Sequence, residues 1–477
     1  MMIATVLLLP IVLGILSAMT KNKFVNRSAL MGTAVVYILV ASSRWMNTEW
    51  HWLPTWLSAY FQFDAIGLYF FSIMALIFSS VTVYSIFYFK EHNVSARQES
   101  VYTIEILFFV VAMSGVILST HLALLWVFIE ATTLTSALLI YFEKKKSSLE
   151  AAWKYVFICS IGIALAFVGI IVLSIGSRHI NSLFFADLYA RASEINPFWL
   201  KVSFAFIFVG LGTKIGIAPI HAWLPDAHSE APSPVSALLS GTLLNSAFLG
   251  LLRVQGIFIH ARLDDFSNFL FLITGFLSLI VSSVFMLRLR NYKRMLAYSS
   301  IENMGILFIG VALGKYGIFA VLLHILSHSL SKASLFMTSG NILHLYKSKK
   351  IEEVNGLLKA DPRTGWLWIV SMLAIIGLPP FPAFMSKFLI IQAFWYIGMP
   401  WLAVPFFLFL VVITFGMGTT VFKMAFGEVQ KDKTTNQKLT MYAYVPQFVL
   451  LLILFVIGTN MPRQVLDFLK GTAGFFQ

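Results

Sequence analysis

In the stretch HILSHSLSK, His324, His328 and Lys332 stand at i, i+4 and i+8. On a helix that spacing puts all three side chains on one face, and the row extends over about 12 Å at 1.5 Å per residue. Imidazole titrates near neutrality and a lysine amine is a second proton carrier, so such a row is suited to handing protons along a helix. A lone histidine would read as a hydrogen-bonded packing residue. Three titratable groups in register point to proton chemistry.

Other ionisable residues lie in equally apolar surroundings. Glu130 sits inside HLALLWVFIEATTLTSALLIY, and Lys214 ends the glycine-rich run of GLGTKIGIAPIHAWLPDAHSEAPSPVS (210–236). His221 and His228 follow within that same stretch, and Lys387 comes just after a second proline cluster, IGLPPFPA (376–383). With Lys154 and the row above, these are the candidate proton-translocating residues. A charge near the centre of a spanning helix costs about 2.5–3.5 kcal/mol on insertion scales, which a chain sustains mainly where the charge is used. Burial disfavours the charged form of either group and pairing favours it, so moving a carboxylate relative to a lysine can switch protonation. Structural readings stand beside these. Lys154 reads equally as a side chain snorkelling to the nearby interface, and Glu130 with Lys214 as an ion pair that fixes helix packing. Arg253 reads as an interface anchor and Glu302, beside a basic loop, as structural. Asp226, His228 and Glu230 lie in an inner connector that is either an entry mouth or a solvated loop.

The elements that must hold these groups follow from composition. The chain has 477 residues, 59% hydrophobic and 12% charged, with a mean hydropathy of +0.84. Soluble domains carry roughly 25% charged residues, so this is an all-α polytopic membrane protein. The net charge of +13 does not mark a nucleic-acid face, because the basic residues sit in short connectors between apolar runs. One cysteine, Cys159, cannot hold an iron–sulfur cluster or a structural zinc, so no cofactor is expected in this chain. The first apolar run lacks a basic n-region and reads as a spanning helix, not a cleaved signal.

About 20 apolar residues span a bilayer, and that ruler gives about fourteen transmembrane helices. They lie at 3–19, 28–43, 66–89, 104–119, 121–142, 152–175, 199–221, 233–257, 268–287, 297–313, 316–345, 366–397, 401–422 and 442–459. The eleventh and twelfth are long enough to be interrupted. Of the 34 basic residues, roughly 21 fall in connectors on one side, about 8 on the other and five within spans. The basic side is cytoplasmic, so both termini are expected outside, with Trp45, Trp50, Trp52 and Trp56 at the outer interface. The octets IGIAPIHA (215–222) and IGLPPFPA share an Ile-Gly-aliphatic-x-Pro-x-x-Ala pattern in spans of opposite direction, seven and twelve. Oppositely directed, broken helices of one pattern are the mark of an inverted-topology repeat. The expected organisation is helices 1–3 over 1–103, a first repeat over 104–260, a second over 261–430, and a last helix with its tail over 431–477.

KIGIAPIHAWLPDAHSEAPSPVSALLSG, LAYSSIENMG and HILSHSLSKASLFMTSGNILH resemble the antiporter-like membrane subunits of respiratory complex I, Mrp antiporters and membrane-bound hydrogenases. WVFIEATTLTSALLIYF, LEAAWKYVFICSIGIAL and SPVSALLSGTLLN resemble most nearly the hydrogenase-4 component F type. The resemblance implies fourteen helices in two inverted five-helix repeats. It implies proton translocation by Glu130, by Lys214 in a broken helix, by the His324–His328–Lys332 row, and by Lys387. It also implies partners: other membrane subunits, and a soluble arm on the cytoplasmic side holding nickel–iron and iron–sulfur centres. Two positions depart from complex I relatives. Asn245 stands where the M-type subunit has a lysine, and Phe388 follows Lys387 where the L-type has an acid. The expected function is a proton-translocating subunit of a group 4 hydrogenase or formate-hydrogenlyase-type complex in a prokaryotic cell membrane, with no redox site of its own. The alternatives are a subunit of an Mrp-type antiporter, the M-type subunit of complex I, and a non-transporting membrane anchor.

Overall fold

The computed structural model describes residues 2–46, 55–428 and 439–474. Trp50, Trp52 and most of the 423–438 loop lie outside the described residues. Helices dominate, and among the described residues β-pairing is limited to three isolated bridges. Among the described residues, twelve helices are long and apolar enough to cross a membrane. Two of the fourteen expected spans fall short of that length. Span twelve is divided into Pro362–Ile376 and Pro382–Tyr396, of 15 residues each. The last span is the 15-residue Val445–Thr459, which meets the Arg463–Gly474 helix at a 79° bend. Fifteen residues rise only about 22 Å, less than the ~30 Å of a hydrocarbon core. Span eleven is continuous over Ile318–Tyr346.

The chain forms two compact units, one of residues 1–82, 92–215 and 242–267, the other of 83–91, 216–241 and 268–477. In the first, Lys146–Gly176 and Pro197–Ile215 approach closely because small residues line the seam. A Cβ on Gly169 would lie 2.6 Å from Ile207, and one on Gly210 2.5 Å from the Gly162 carbonyl. With no hydrophobic drive between helices in lipid, such contact through small residues holds the pair. Leu122–Ile140 packs on the same long helix, tied by the Trp126 indole to the Ile163 carbonyl at 2.8 Å.

In the second unit Ile318–Tyr346 is central. It is buried along nearly all its length and packs against Ser233–Leu238, Tyr292–Ala312, Pro362–Ile376, Pro382–Tyr396 and Val445–Thr459. Its polar row therefore faces protein on every side.

Both proline octets interrupt helices, and at matching positions. The seventh span stops at Ile215, Gly216 takes φ +78°, and the chain resumes helix at Trp223. The twelfth stops at Ile376, Gly377 takes φ +83°, and helix resumes at Pro382. Ala218–Pro219 and Pro379–Pro380 are cis. Proline lacks the amide a helix needs, and the left-handed glycine turns the chain out of it. A third irregularity, a π-helical turn at Leu239–Leu243, lies within the eighth span.

Candidate functional site

Lys214 occupies the last turn of Pro197–Ile215 and is fully buried. Its Nζ donates to Thr133 Oγ1 at 2.9 Å and to the Tyr155 hydroxyl at 2.5 Å. The Thr133 hydroxyl donates in turn to Glu130 Oε2 at 3.4 Å, and Ser160 donates to Glu130 Oε1 at 2.9 Å. Tyr155 shares a further hydrogen bond with Ser136 at 2.6 Å. Glu130, Thr133 and Ser136 meet because i, i+3 steps place them along one side of Leu122–Ile140. The ammonium also lies 4.6 Å from the Tyr155 ring centroid and at the negative end of its own helix, both of which offset the cost of burying it. The result is an amine and a carboxylate joined through one hydroxyl. An ammonium that gives its proton to Thr133, while Thr133 passes its own to Glu130, leaves a neutral amine and a neutral acid with every atom accounted for.

The second unit holds the histidine–lysine row. His324, His328 and Lys332 are all fully buried. His324 Nε2 meets Asn303 Oδ1 at 3.0 Å, and Nδ1 meets Ser386 Oγ at 2.8 Å. The Asn303 amide nitrogen is committed to the Ser299 carbonyl at 2.6 Å, which leaves its oxygen facing the ring. Nε2 must therefore carry a hydrogen. The Ser386 hydroxyl can donate to Nδ1 or, when turned to the Ala383 carbonyl at 3.0 Å, accept from it. The imidazole can thus hold one proton or two without moving. His328 Nε2 reaches the Ser240 carbonyl, 3.3 Å away within the π-helical turn, while its Nδ1 has no protein partner. Lys332 Nζ donates to the Leu296 carbonyl at 2.6 Å.

Lys387 anchors the second break. Its Nζ lies 3.1 Å from the Ile376 carbonyl and 3.5 Å from that of Ile375, the acceptors left open where the helix stops. It also pairs with Glu302 at 3.3 Å, both side chains being buried. Each unit therefore contains a lysine at or beside a break, connected to a carboxylate on another helix.

The pattern of the NADH:quinone oxidoreductase/Mrp antiporter transmembrane family matches residues 119–414, which include every one of these groups. The chain belongs to that family. It is 34% identical over 365 residues to a hydrogenase-4 component F homolog of Methylacidiphilum infernorum, covering 75% of each chain. It is 31% identical over 347 residues to a Na(+)/H(+) antiporter subunit of Alkalihalophilus pseudofirmus, a match spanning 68% of this chain and 41% of that protein. Its fold is that of a chain in the membrane-bound sulfane sulfur reductase, an archaeal respiratory membrane complex, at TM-score 0.87, 23% identity, and coverage of 99% and 97%. With twelve apolar helices among the described residues, this family member is a multi-pass membrane protein.

The remaining sequence candidates are placed as follows. Lys154 is half exposed and pairs with Glu150 one turn away at 2.6 Å, while its neighbour Tyr155 enters the Lys214 network. His221 is half buried near Tyr298, with Nδ1 unpartnered. His228 is buried between Trp223 and Phe336, with no protein partner on either ring nitrogen, so it belongs to the interior and not to a solvated connector. Beside it, Asp226 pairs with Arg294 and Glu230 with Lys349. Asn245 is buried and Phe388 exposed. Arg253 is no interface anchor. It is buried, pairs with Asp64 at 2.9 Å, and donates to the carbonyls of Val116, Ile117 and Ser119 that end the Ala96–Leu118 helix. Burial beside a helix C-terminus explains it better than an interface does. Glu302, read as structural, is the carboxylate of the second site. The cost of an intramembrane charge singles it out just as it does Glu130, and its nearness to the basic loop masks that.

Proposed function

We propose that this chain is the proton-translocating membrane subunit of a group 4 hydrogenase or formate-hydrogenlyase-type complex. The observation that carries the proposal is the Glu130–Thr133–Lys214 relay, in which Thr133 and Lys214 are buried and Glu130 is partly buried, a geometry in which a proton passes between charged and neutral pairs with little motion. The relative named as a hydrogenase-4 component F homolog supports the choice of complex. Electrons move in partner subunits that hold nickel–iron and iron–sulfur centres, on a soluble arm at the cytoplasmic side, beside further membrane subunits. Energy released there changes how closely Glu130 approaches Lys214, and so whether the amine holds its proton. The row from His324 to Lys332, with Lys387 and Glu302, takes the corresponding role in the second unit. Neighbouring polar atoms without protein partners, on His228, His328, Ser327 and Ser331, are sites where internal water bridges the steps between side chains. The blocks 104–260 and 261–430 are the inverted repeats, and both termini face outward from a prokaryotic cell membrane.

The Mrp-type antiporter reading shares the buried charges and is favoured by the similarity to the Na(+)/H(+) antiporter of Alkalihalophilus pseudofirmus. Purification of the native complex followed by nickel and iron analysis separates the two. Stoichiometric nickel with hydrogen-evolving activity is the expected result. A metal-free assembly that exchanges sodium for protons would replace this reading with the antiporter one.

A further inference from the structure

In the second unit, Pro362–Ile376 and Val445–Thr459 leave a groove of about 600 Å³ along their shared face. Trp366, Val370, Phe448 and Leu452 make its apolar walls. One end is closed by Phe381, the residue from which the broken twelfth helix resumes, and the other carries Arg363 and Tyr444. Arg363 is the one charged residue of the lining among the described residues. Its guanidinium lies 5.4 Å from the centroid of the Tyr444 ring and makes no ion pair among the described residues. The adjacent carboxylate, Asp361, is taken by Thr364 at 2.6 Å and the Tyr444 hydroxyl at 3.0 Å.

The dimensions point to one kind of occupant. From Val445 to Phe455 the wall rises about 15 Å, half of a ~30 Å hydrocarbon core and hence the depth of one leaflet. An arginine fork at the mouth matches a phosphate better than it matches a neutral headgroup. We propose that the groove binds an anionic phospholipid, with the phosphate on Arg363 and one acyl chain running inward to Phe381. The chain end then braces the residue just before Pro382, and with it the half-helix that carries Lys387.

The test uses the complex purified in detergent, incubated with phosphatidylglycerol or phosphatidylcholine in mixed micelles, and weighed by native mass spectrometry. Wild type is expected to retain phosphatidylglycerol in preference to phosphatidylcholine. Arg363→Gln should weaken phosphatidylglycerol retention about fivefold, in line with one basic side chain at a membrane surface. Val370→Trp, which fills the groove, should abolish retention of either lipid. Arg363→Gln alone decides the matter should the tryptophan variant fail to fold. Equal phosphatidylglycerol retention by wild type and Arg363→Gln would overturn the proposal. So would a photo-crosslinker at Phe448 that labels a neighbouring polypeptide and no lipid.

Discussion

Thr133 is the smallest part of the site with the largest consequence. Its hydroxyl accepts from Lys214 and donates to Glu130, so in the proposed relay it is the atom that joins the two charges. Thr133→Val keeps the shape and removes the hydroxyl. Proton flux through the reconstituted complex should fall about 10²-fold, the lower end of what a positioned acid or base contributes, and Thr133→Ser should restore most of it. A valine variant that pumps at the wild-type rate would remove Thr133 from the path. Glu130, Lys214 and Lys387 are legible in the sequence because charge is rare and costly in apolar helices. Thr133, Tyr155 and Ser386 are not, since hydroxyls occur throughout such helices and only packing selects those that matter. Glu302 carries the same signal as Glu130, obscured by its position beside a basic loop. Lys154 carries it too, yet the structure turns that side chain outward to Glu150.

Among the elements, the two interrupted helices matter most, and their interruptions are visible as paired glycine–proline octets. What the octets do not reveal is how the freed groups are satisfied: the Ala218 amide by the Ser278 hydroxyl at 3.0 Å, and the Ile375 and Ile376 carbonyls by Lys387. The π-helical turn at Leu239–Leu243 has no sequence mark, because it contains no proline. Gly216 tests the first break. A Cβ there would lie 2.2 Å from Leu224 Cδ1, on a residue already at φ +78°, so Gly216→Ala meets both backbone strain and a clash. The cost should be about 1–2 kcal/mol or more, read as a lower thermal midpoint of the solubilised chain. Gly418→Ala, in a regular helix with nothing within 4 Å of the added carbon, should leave the midpoint unchanged or slightly raised. Equal midpoints for the two variants would mean that the break tolerates an ordinary residue.

At the scale of the whole molecule, composition and the spacing of basic connectors are enough to recover a polytopic membrane chain and most of its helices. Hydropathy gives spans twelve and fourteen as single runs, whereas the structure divides the first between Ile376 and Pro382 and ends the helix of the second at Thr459. The division into two units is also hidden from it, since residues 83–91 and 216–241 join a unit distant in sequence from their neighbours. Each unit nonetheless repeats one arrangement, a buried lysine linked to a carboxylate near an interrupted helix, and the account rests on the first of these carrying protons. The most direct test reconstitutes the complex in proteoliposomes and records internal pH together with hydrogen evolution, for wild type and Lys214→Ala. Lys214→Ala should leave hydrogen chemistry undiminished and abolish proton movement. Proton movement at the wild-type ratio to hydrogen evolved, in a folded Lys214→Ala complex, would contradict it.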